Sequence, residues 1–448
     1  MEKRKIFRRK IYDQLLSWKK TFDGSYSVLI RGARRVGKST IAEEFARNEY
    51  RSYIIVDFAH ISDEMLDIFK DINNLPLFFL RLQAETNVTL YERESVIIFD
   101  EIQLYPKVRQ AIKYLTADHR YDYIETGSLI SIKKNVKGIV IPSEEHKIDM
   151  YPMDYEEFLW ALGNTNYELI RQMVSLKKPI GESTNRKLMR DFRIYMAVGG
   201  MPQAVEAYIS GKNFAEIDAV KREIVELYKD DFRKIDSSGR ISRIFESIPS
   251  QLALKKKRFI ISNATGKTKT PKDEERLSEL IESGTVLICH DVDNQGVSLS
   301  QTKKDDAFKL YLADTGLFTT LLFNDEMAGN EDIYRKLLSD KLPENLGYLY
   351  ENAAAQVLTA NGRKLYYHTW DAKDSSHYYE VDFLIVEKTK ISAIEIKSSR
   401  ISMHKSMDEF AKKYSRILHS RYLFSPHDIA KDGDIRIWPL YCLPVISQ

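Results

Sequence analysis

Cysteine is nearly absent from this chain. Cys289 and Cys442 are the two in 448 residues, and their separation offers neither a metal-ligand spacing nor a disulfide framework. That argues against structural zinc and fits a reducing, cytoplasmic setting. Long apolar runs are missing as well, since none reaches the roughly 18 residues a membrane-spanning helix needs. The basic first twenty residues lack the apolar segment of a secretory signal. No charge of one sign dominates either. Lys and Arg number 68 against 65 Asp and Glu, a net charge of +3, so the chain as a whole does not advertise nucleic-acid binding. No low-complexity tract or internal repeat stands out. At 43% apolar and 30% charged residues the composition is that of a globular protein, and the length implies two to four domains.

What is present begins at residue 28. Val28–Ile30 is an apolar strand, and the pattern G-x-x-x-x-G-K-[ST] follows from Gly32 through Ala33, Arg34, Arg35, Val36, Gly37 and Lys38 to Ser39. A helical stretch from Thr40 to Arg47 leads out. The two glycines let the backbone wrap phosphate oxygens, and the helix N-terminus presents unpaired N–H groups to the anion. Lys38 is placed for the β- and γ-phosphates, Ser39 for Mg²⁺. Arg34 and Arg35 are basic enough to touch phosphate or simply to stay solvated. The ligand class is a nucleoside triphosphate, expected as ATP.

A second motif supports the first. Ser95–Glu101 reads SVIIFDE, a buried strand ending in two carboxylates. Alone it could be a solvated strand end. Downstream of a phosphate loop, Asp100 is expected to support Mg²⁺ and Glu101 to orient and deprotonate the attacking water. Two further apolar strands, Tyr53–Phe58 and Tyr123–Glu125, alternate with helical stretches, which implies a parallel sheet with the nucleotide at its C-terminal edge. A Glu directly after the strand-end Asp resembles the additional-strand class of P-loop ATPases, to which AAA-type proteins belong, and the resemblance implies a polar sensor of the γ-phosphate in the segment Glu125–Ser128, with Ser128 the candidate.

The N-terminal twenty residues carry eight Lys or Arg against two acids, a local +6. Phe7, Ile11, Leu15 and Trp18 recur at helical spacing, so a helix packed on the N-terminal core is preferred to a DNA-contacting arm. The run Lys255–Arg258 is similarly open. Residues 159–239 read as mainly helical, broken at Gly199-Gly-Met-Pro202, a turn by composition. Residues 240–325 read as helices followed by two strands, Val286–His290 and Phe308–Leu312. That suggests a winged helix, with Lys267, Lys269, Lys272 and Arg276 near the presumed reading helix. DNA and protein are equally good partners for such a unit.

The C-terminal region, 326–448, holds a second set of chemical groups. A helix, Asn345–Ala360, contains Glu351. Strands follow at Lys364–Trp370, Glu380–Val386 and Ser392–Ser398. If the turn Glu387–Lys390 closes a hairpin, Val386 pairs with Ile391 and Asp382 lands opposite Glu395, with Lys397 on the same face. Two carboxylates facing each other across a strand pair repel, and a divalent cation between them converts that penalty into a binding site.

This order of helical Glu, strand Asp, turn and strand Glu-x-Lys resembles the PD-(D/E)XK nuclease superfamily. The resemblance implies that Asp382 and Glu395 hold Mg²⁺ or Mn²⁺, that Glu351 completes the site, and that Lys397 positions or polarises water. Val381 replaces the proline usual before the motif Asp. From end to end the chain resembles prokaryotic AAA-like ATPases that join a P-loop domain, a winged-helix middle and a nuclease-like module of unknown function. The residues that carry this are Gly32–Ser39, Phe99–Glu101, Thr126–Ser128, Leu312–Gly316, Glu380–Phe383 and Glu395–Lys397. The fold class expected is α/β, with a P-loop parallel sheet in 1–158, a helical and winged-helix middle, and a restriction-endonuclease-like α/β domain.

The function expected is ATP hydrolysis coupled to a metal-dependent nuclease-like domain acting on DNA. The alternatives are an ATP-driven switch whose C-terminal domain binds nucleic acid or protein without cleaving, and a protein remodeller that never meets DNA. The resemblance to AAA-like proteins, which often complete their site with a neighbour's arginine, also implies a homo-oligomer.

Overall fold

The computed structural model describes residues 5–128, 143–266, 268–293, 298–323, 334–335, 337–339, 346–372, 377–399 and 401–446. Lys267 lies outside them. The chain divides into two compact units, residues 1–151 with 282–284, and residues 152–281 with 285–448.

The first unit is built on five parallel strands, β1 (Ser27–Gly32), β2 (Ser52–Asp57), β3 (Ser95–Asp100), β4 (Asp122–Ser128) and β5 (Glu145–Asp149), in the order β2-β3-β4-β1-β5. Val28–Ile30 and Val96–Phe99 are fully buried, as expected for parallel strands covered on both faces. One face packs an aromatic cluster that includes Phe58, Phe69, Phe78, Phe79, Phe99 and Tyr123. Among the described residues five helices accompany the sheet: α1 (Ile11–Phe22), α2 (Lys38–Glu49), α3 (Asp63–Ile68), α4 (Leu75–Thr86) and α5 (Pro106–Asp118). Ile11, Leu15 and Trp18 of α1 are buried, and the Trp18 indole donates to Tyr26 O at 3.0 Å. The basic N-terminal helix therefore packs on this core, as its spacing predicts.

The second unit holds a mixed sheet of eight strands: β6 (Val286–Val292), β7 (Lys303–Leu312), β8 (Leu365–Asp371), β9 (Tyr378–Glu387), β10 (Lys390–Ile396), β11 (Leu418–Ser425), β12 (Ala430–Asp432) and β13 (Ile435–Pro439). Their order is β12-β13-β11-β10-β9-β8-β6-β7. The pair β6–β7, read from sequence as a wing, is antiparallel but is joined to β8 and so belongs to the same sheet as the C-terminal strands. The region from residue 240, expected to open on helices, begins with two short ones, Arg240–Glu246 and Ile248–Ala253, because Pro249 starts a new turn.

The Gly-Gly-Met-Pro run ends the helix Glu182–Val198, and Pro202 opens the next, Pro202–Ile209. It docks against the Asp314-Thr-Gly316 turn: Gly200 N–H donates to Asp314 Oδ2 at 2.6 Å, while Asp314 Oδ1 caps Leu317 N–H at 2.8 Å. The helix Gly347–Ala360 is tied to the same region. Asn352 exchanges both bonds with the Leu312 backbone (2.8 and 3.2 Å), and Gln356 accepts from Thr315 N–H at 2.7 Å. Among the described residues no helix is long and apolar enough to cross a membrane.

Candidate functional site

In the first unit, strand order builds the site. β4 lies between β1, which leads into the phosphate loop, and β3, which ends in Asp100. The loop and the carboxylates therefore meet at one sheet edge with a third strand's residues between them. Gly37, at φ +100°, caps α2, and the loop turns through Arg35 at φ +69°. A Cβ on Gly32 would stand 2.2 Å from Met150 O, so only glycine fits there. Ala33, Val36 and Lys38 are buried, Thr40 is half-buried, and Arg34, Arg35 and Ser39 are exposed.

Lys38 Nζ donates to Gly32 O at 3.1 Å and to Ala33 O at 3.0 Å, which holds the ammonium across the loop. Burial lowers its pKa, opposed by the charges of Glu101 and Asp100. The Ser39 hydroxyl donates to Asp100 Oδ1 at 2.7 Å. This pair of hard oxygen donors suits Mg²⁺. Glu101 sits at φ +53°. Its N–H donates to Thr126 Oγ1 at 3.3 Å, and Gln103 Nε2 donates to its carboxylate.

Two residues not singled out from sequence join this site. The Thr126 hydroxyl donates to Asp100 Oδ1 while accepting from Glu101 N–H, so it links both carboxylate residues to β4. Ser128, the residue nominated instead, ends β4, and its side chain is outside the described residues. Arg9 donates to Val36 O at 2.9 Å and to Tyr151 O at 2.6 Å, bracing the phosphate loop from a position 27 residues upstream. One basic residue among eight carries no sequence signal for that contact.

Beneath the site, Glu125 on β4 is fully buried, with Oε1 accepting from Ser27 at 2.7 Å and Oε2 without a partner among the described residues. Burial, aided by the charge of Glu145, pushes its pKa up to about 8. Between the ordinary value of 4.5 and 8 the folded state keeps a proton that the unfolded state has released, so stability falls as pH rises through that window. Glu125→Gln should flatten the decline in melting temperature between pH 6 and pH 8 and melt higher than wild type at pH 8. An unchanged slope in thermal scans would remove Glu125 as its source.

In the second unit the hairpin β9–β10 has the expected register, with Val386 opposite Ile391 and Phe383 opposite Ile394. Continuing the ladder one step sets Asp382 against Glu395, and Ile396 N–H donates to Asp382 Oδ2 at 2.7 Å. Lys397 Nζ lies 2.5 Å from Glu395 Oε1. Glu395 Oε2 is buried without a partner among the described residues. Burial, reinforced by Asp382, raises Glu395 to about 7. Glu351, on the helix Gly347–Ala360, also rises to about 7, through burial and then through Asp382.

The structure adds a pair that sequence reading missed. Glu380, two residues before Asp382 on the same strand face, meets Lys309 of β7 at 2.5 Å. Burial acts to lower Lys309, but Glu380, Glu351 and Asp382 outweigh it and raise the pKa. Strand alternation from Asp382 was the available signal for Glu380. Lys309 had none, because its strand was read as part of a separate unit. Among the described residues no three His, Cys, Asp or Glu side chains are grouped to hold a metal ion as they stand. The donor chemistry nonetheless fits Mg²⁺ or Mn²⁺, with an unpartnered buried carboxylate oxygen at Glu395.

Two of the basic residues near the presumed reading helix are engaged within the fold. Arg276 pairs with Asp273 at 3.0 Å and Asp236 at 3.2 Å, and Lys269 with Glu274 at 3.0 Å. The helix Lys272–Glu282 exposes Lys272 but also Glu274 and Glu275.

Residues 25–159 match the family profile of an AAA domain. Residues 189–328 match that of a domain of unknown function (DUF8612), and residues 346–443 that of another (DUF4143). No curated protein matches the chain. Among solved structures the chain is similar to a Walker-type ATPase of Pyrococcus abyssi, at 18% identity over 70% of this chain and 96% of that one, with a TM-score of 0.40. It is also similar to Cdc6p from Pyrobaculum aerophilum, at 10% identity over 76% and 97%, TM-score 0.25. A third likeness is to a Signal Transduction ATPase with Numerous Domains from Pyrococcus horikoshii, at 11% identity and TM-score 0.28; the match covers 80% of this chain and about half, 48%, of that one. The profile match spans the phosphate loop, the Asp100-Glu101 strand end and the strand that carries Thr126, and the N-terminal region of this chain is a P-loop ATPase domain of the AAA type.

Proposed function

We propose that this chain is an ATP-hydrolysing enzyme whose nucleotide cycle governs a metal-dependent nuclease site acting on DNA. In this reading residues 1–158 form the ATPase domain, 159–239 and 240–325 are connecting helical and winged-helix-like parts, and 326–448 carry the nuclease site. At the nucleotide site Lys38 and the loop N–H groups bind the phosphates. Ser39 and Asp100 would hold Mg²⁺, which neutralises phosphate charge when bound. Glu101 takes the proton from the attacking water, and Thr126 keeps Asp100 and Glu101 in place. An arginine from a second copy of the chain would complete the site.

The observation that carries the nuclease half is the convergence of Asp382, Glu395 and Lys397 at the end of one hairpin, with Glu351 close enough to be shifted by Asp382. Asp382, Glu395 and Glu351 would hold Mg²⁺ or Mn²⁺, which supplies polarisation of the phosphodiester when bound. Lys397 is placed to hold water or to stabilise charge on the phosphate. Since Glu351 and Glu395 are both raised, metal must compete with protons for them near neutral pH.

A second reading, a DNA-binding switch without cleavage, is favoured by the Lys309–Glu380 and Lys397–Glu395 pairs, in which ammonium groups already neutralise the carboxylates. Cleavage of supercoiled and single-stranded DNA decides between them, run with Mg²⁺ or Mn²⁺ and with or without ATP. The nuclease reading expects wild type to cut, Asp382→Ala to fall to background, and ATP to change the rate. Wild type that binds DNA and leaves it intact under every condition selects the switch.

A further inference from the structure

The run Lys255-Lys-Lys-Arg258 belongs to no element of the second unit's sheet, yet the structure fastens it to the carboxylate face. Tyr378 OH donates to Lys255 O at 2.7 Å, and Tyr367 OH donates to Lys257 O at 2.6 Å. Tyr378 shares a face of β9 with Glu380 and Asp382 by strand alternation. Tyr367 carries the Lys309 ammonium 5.2 Å from its ring centre. Immediately after the loop, Phe259 N–H pairs with Phe308 O on β7 at 2.7 Å.

We propose that this loop is the phosphate-gripping rim of the carboxylate site, and that it takes the sugar–phosphate backbone of DNA. The inference rests on the nuclease reading of that site only for which strand it serves. Neutralising the carboxylates does not account for the loop, because Lys309 and Lys397 already pair with Glu380 and Glu395. Lys257 pairs with Asp371, and Arg258 lies 3.7 Å from Asp306. Lys255 and Lys256 make no ion pair among the described residues, and all four side chains are exposed.

Four adjacent cations repel one another, and Lys255 is also held left-handed at φ +49°, which costs roughly 1–2 kcal/mol for a residue with a Cβ. A polyanion offsets the repulsion. At about 3.3 Å per residue, Tyr378 and Asp382 are some 13 Å apart along β9. That is about four nucleotide steps at 3.4 Å per strand, so the loop grips phosphates a few nucleotides from the bond at Asp382.

The test is fluorescence anisotropy of labelled 20-nucleotide single-stranded and duplex DNA against salt, in EDTA so that nothing is cut. Lys255→Gly with Lys256→Ala removes both unpaired charges and keeps the left-handed turn, and an unchanged melting temperature confirms the fold. The expected result is about tenfold weaker binding, with the slope of log K against log salt reduced by roughly 1.4 for single strands or 1.8 for duplex. An unchanged slope overturns the proposal, whatever the nuclease assay gives. Loss of slope in a wild type that never cleaves would uphold the rim while the nuclease reading falls. Wild type that binds neither DNA overturns the rim, while the cleavage assay with metal decides the nuclease reading separately.

Discussion

Glu101→Gln should lower kcat for ATP hydrolysis by about 10²–10⁴, the usual range for removing a general base, while ATP still binds. Glutamine keeps the size of the side chain and an acceptor oxygen for Gln103 Nε2, so the contact that orients residue 101 survives. The backbone bond from residue 101 N–H to Thr126 survives as well. What is lost is the group that accepts a proton. Binding should persist because the phosphates meet Lys38 and the loop N–H groups, none of which the substitution touches. The protein should therefore accumulate bound ATP, readable as a slowly dissociating complex with labelled nucleotide. Lys38→Ala should behave oppositely and weaken binding itself. A Glu101→Gln enzyme that turns over at the wild-type rate would take the base role away from Glu101. The split matters because a residue that only supported the fold would lower binding and turnover together.

The nucleotide site was legible in sequence because its parts are local. Gly32–Ser39 must be contiguous to wrap phosphate, and Asp100-Glu101 must follow a buried strand. Thr126 was not legible for a physical reason. The segment Thr126-Gly-Ser128 offers two hydroxyls to a sequence reading, and it is the pairing of β4 beside β3 that brings Thr126 to Asp100. Arg9 was hidden in the same way, since its target is a loop carbonyl with no side-chain identity.

The C-terminal hairpin was legible because the two-residue turn Lys388-Thr389 fixes one register, and register fixes which side chains share a face. Lys309 has no sequence signal because β6 and β7 read as a separate wing, whereas β6 pairs onward to β8 and carries β7 into the same sheet. Local pattern identifies a strand well, but the neighbour it chooses depends on residues far away in the chain.

The Asp314-Thr-Gly316 turn carries the last expectation, because two effects of known sign oppose each other there. Gly316 lies near the start of the helix Thr315–Leu322, where alanine is intrinsically better than glycine by up to about 1 kcal/mol. Propensity alone predicts that Gly316→Ala stabilises. Packing predicts the reverse. A Cβ at 316 would stand 2.3 Å from Val198 O and 2.7 Å from Gly199 Cα, both backbone atoms at the end of the helix Glu182–Val198.

Backbone cannot step aside as a side chain can, so the two helices must separate. Separation would strain the Gly200 N–H to Asp314 bond and the Thr319 hydroxyl's bond to Met196 O, both buried. Overpacking of this kind costs about 1–3 kcal/mol, occasionally more, and the weakened bonds add about 1 kcal/mol each. The net should be a loss of about 2 kcal/mol or more in urea melts, with ATP binding by the first unit unchanged.

Gly347→Ala is the matched control. It too opens a helix, but among the described residues its Cβ would meet the Ser398 side chain, Oγ at 3.6 Å and Cβ at 3.9 Å, both ordinary contacts. It should be neutral or slightly stabilising. If both substitutions stabilise, the Gly199–Gly316 approach is not the close contact drawn here. If both destabilise equally, the cause lies in the helix starts and not in the packing between the two motifs.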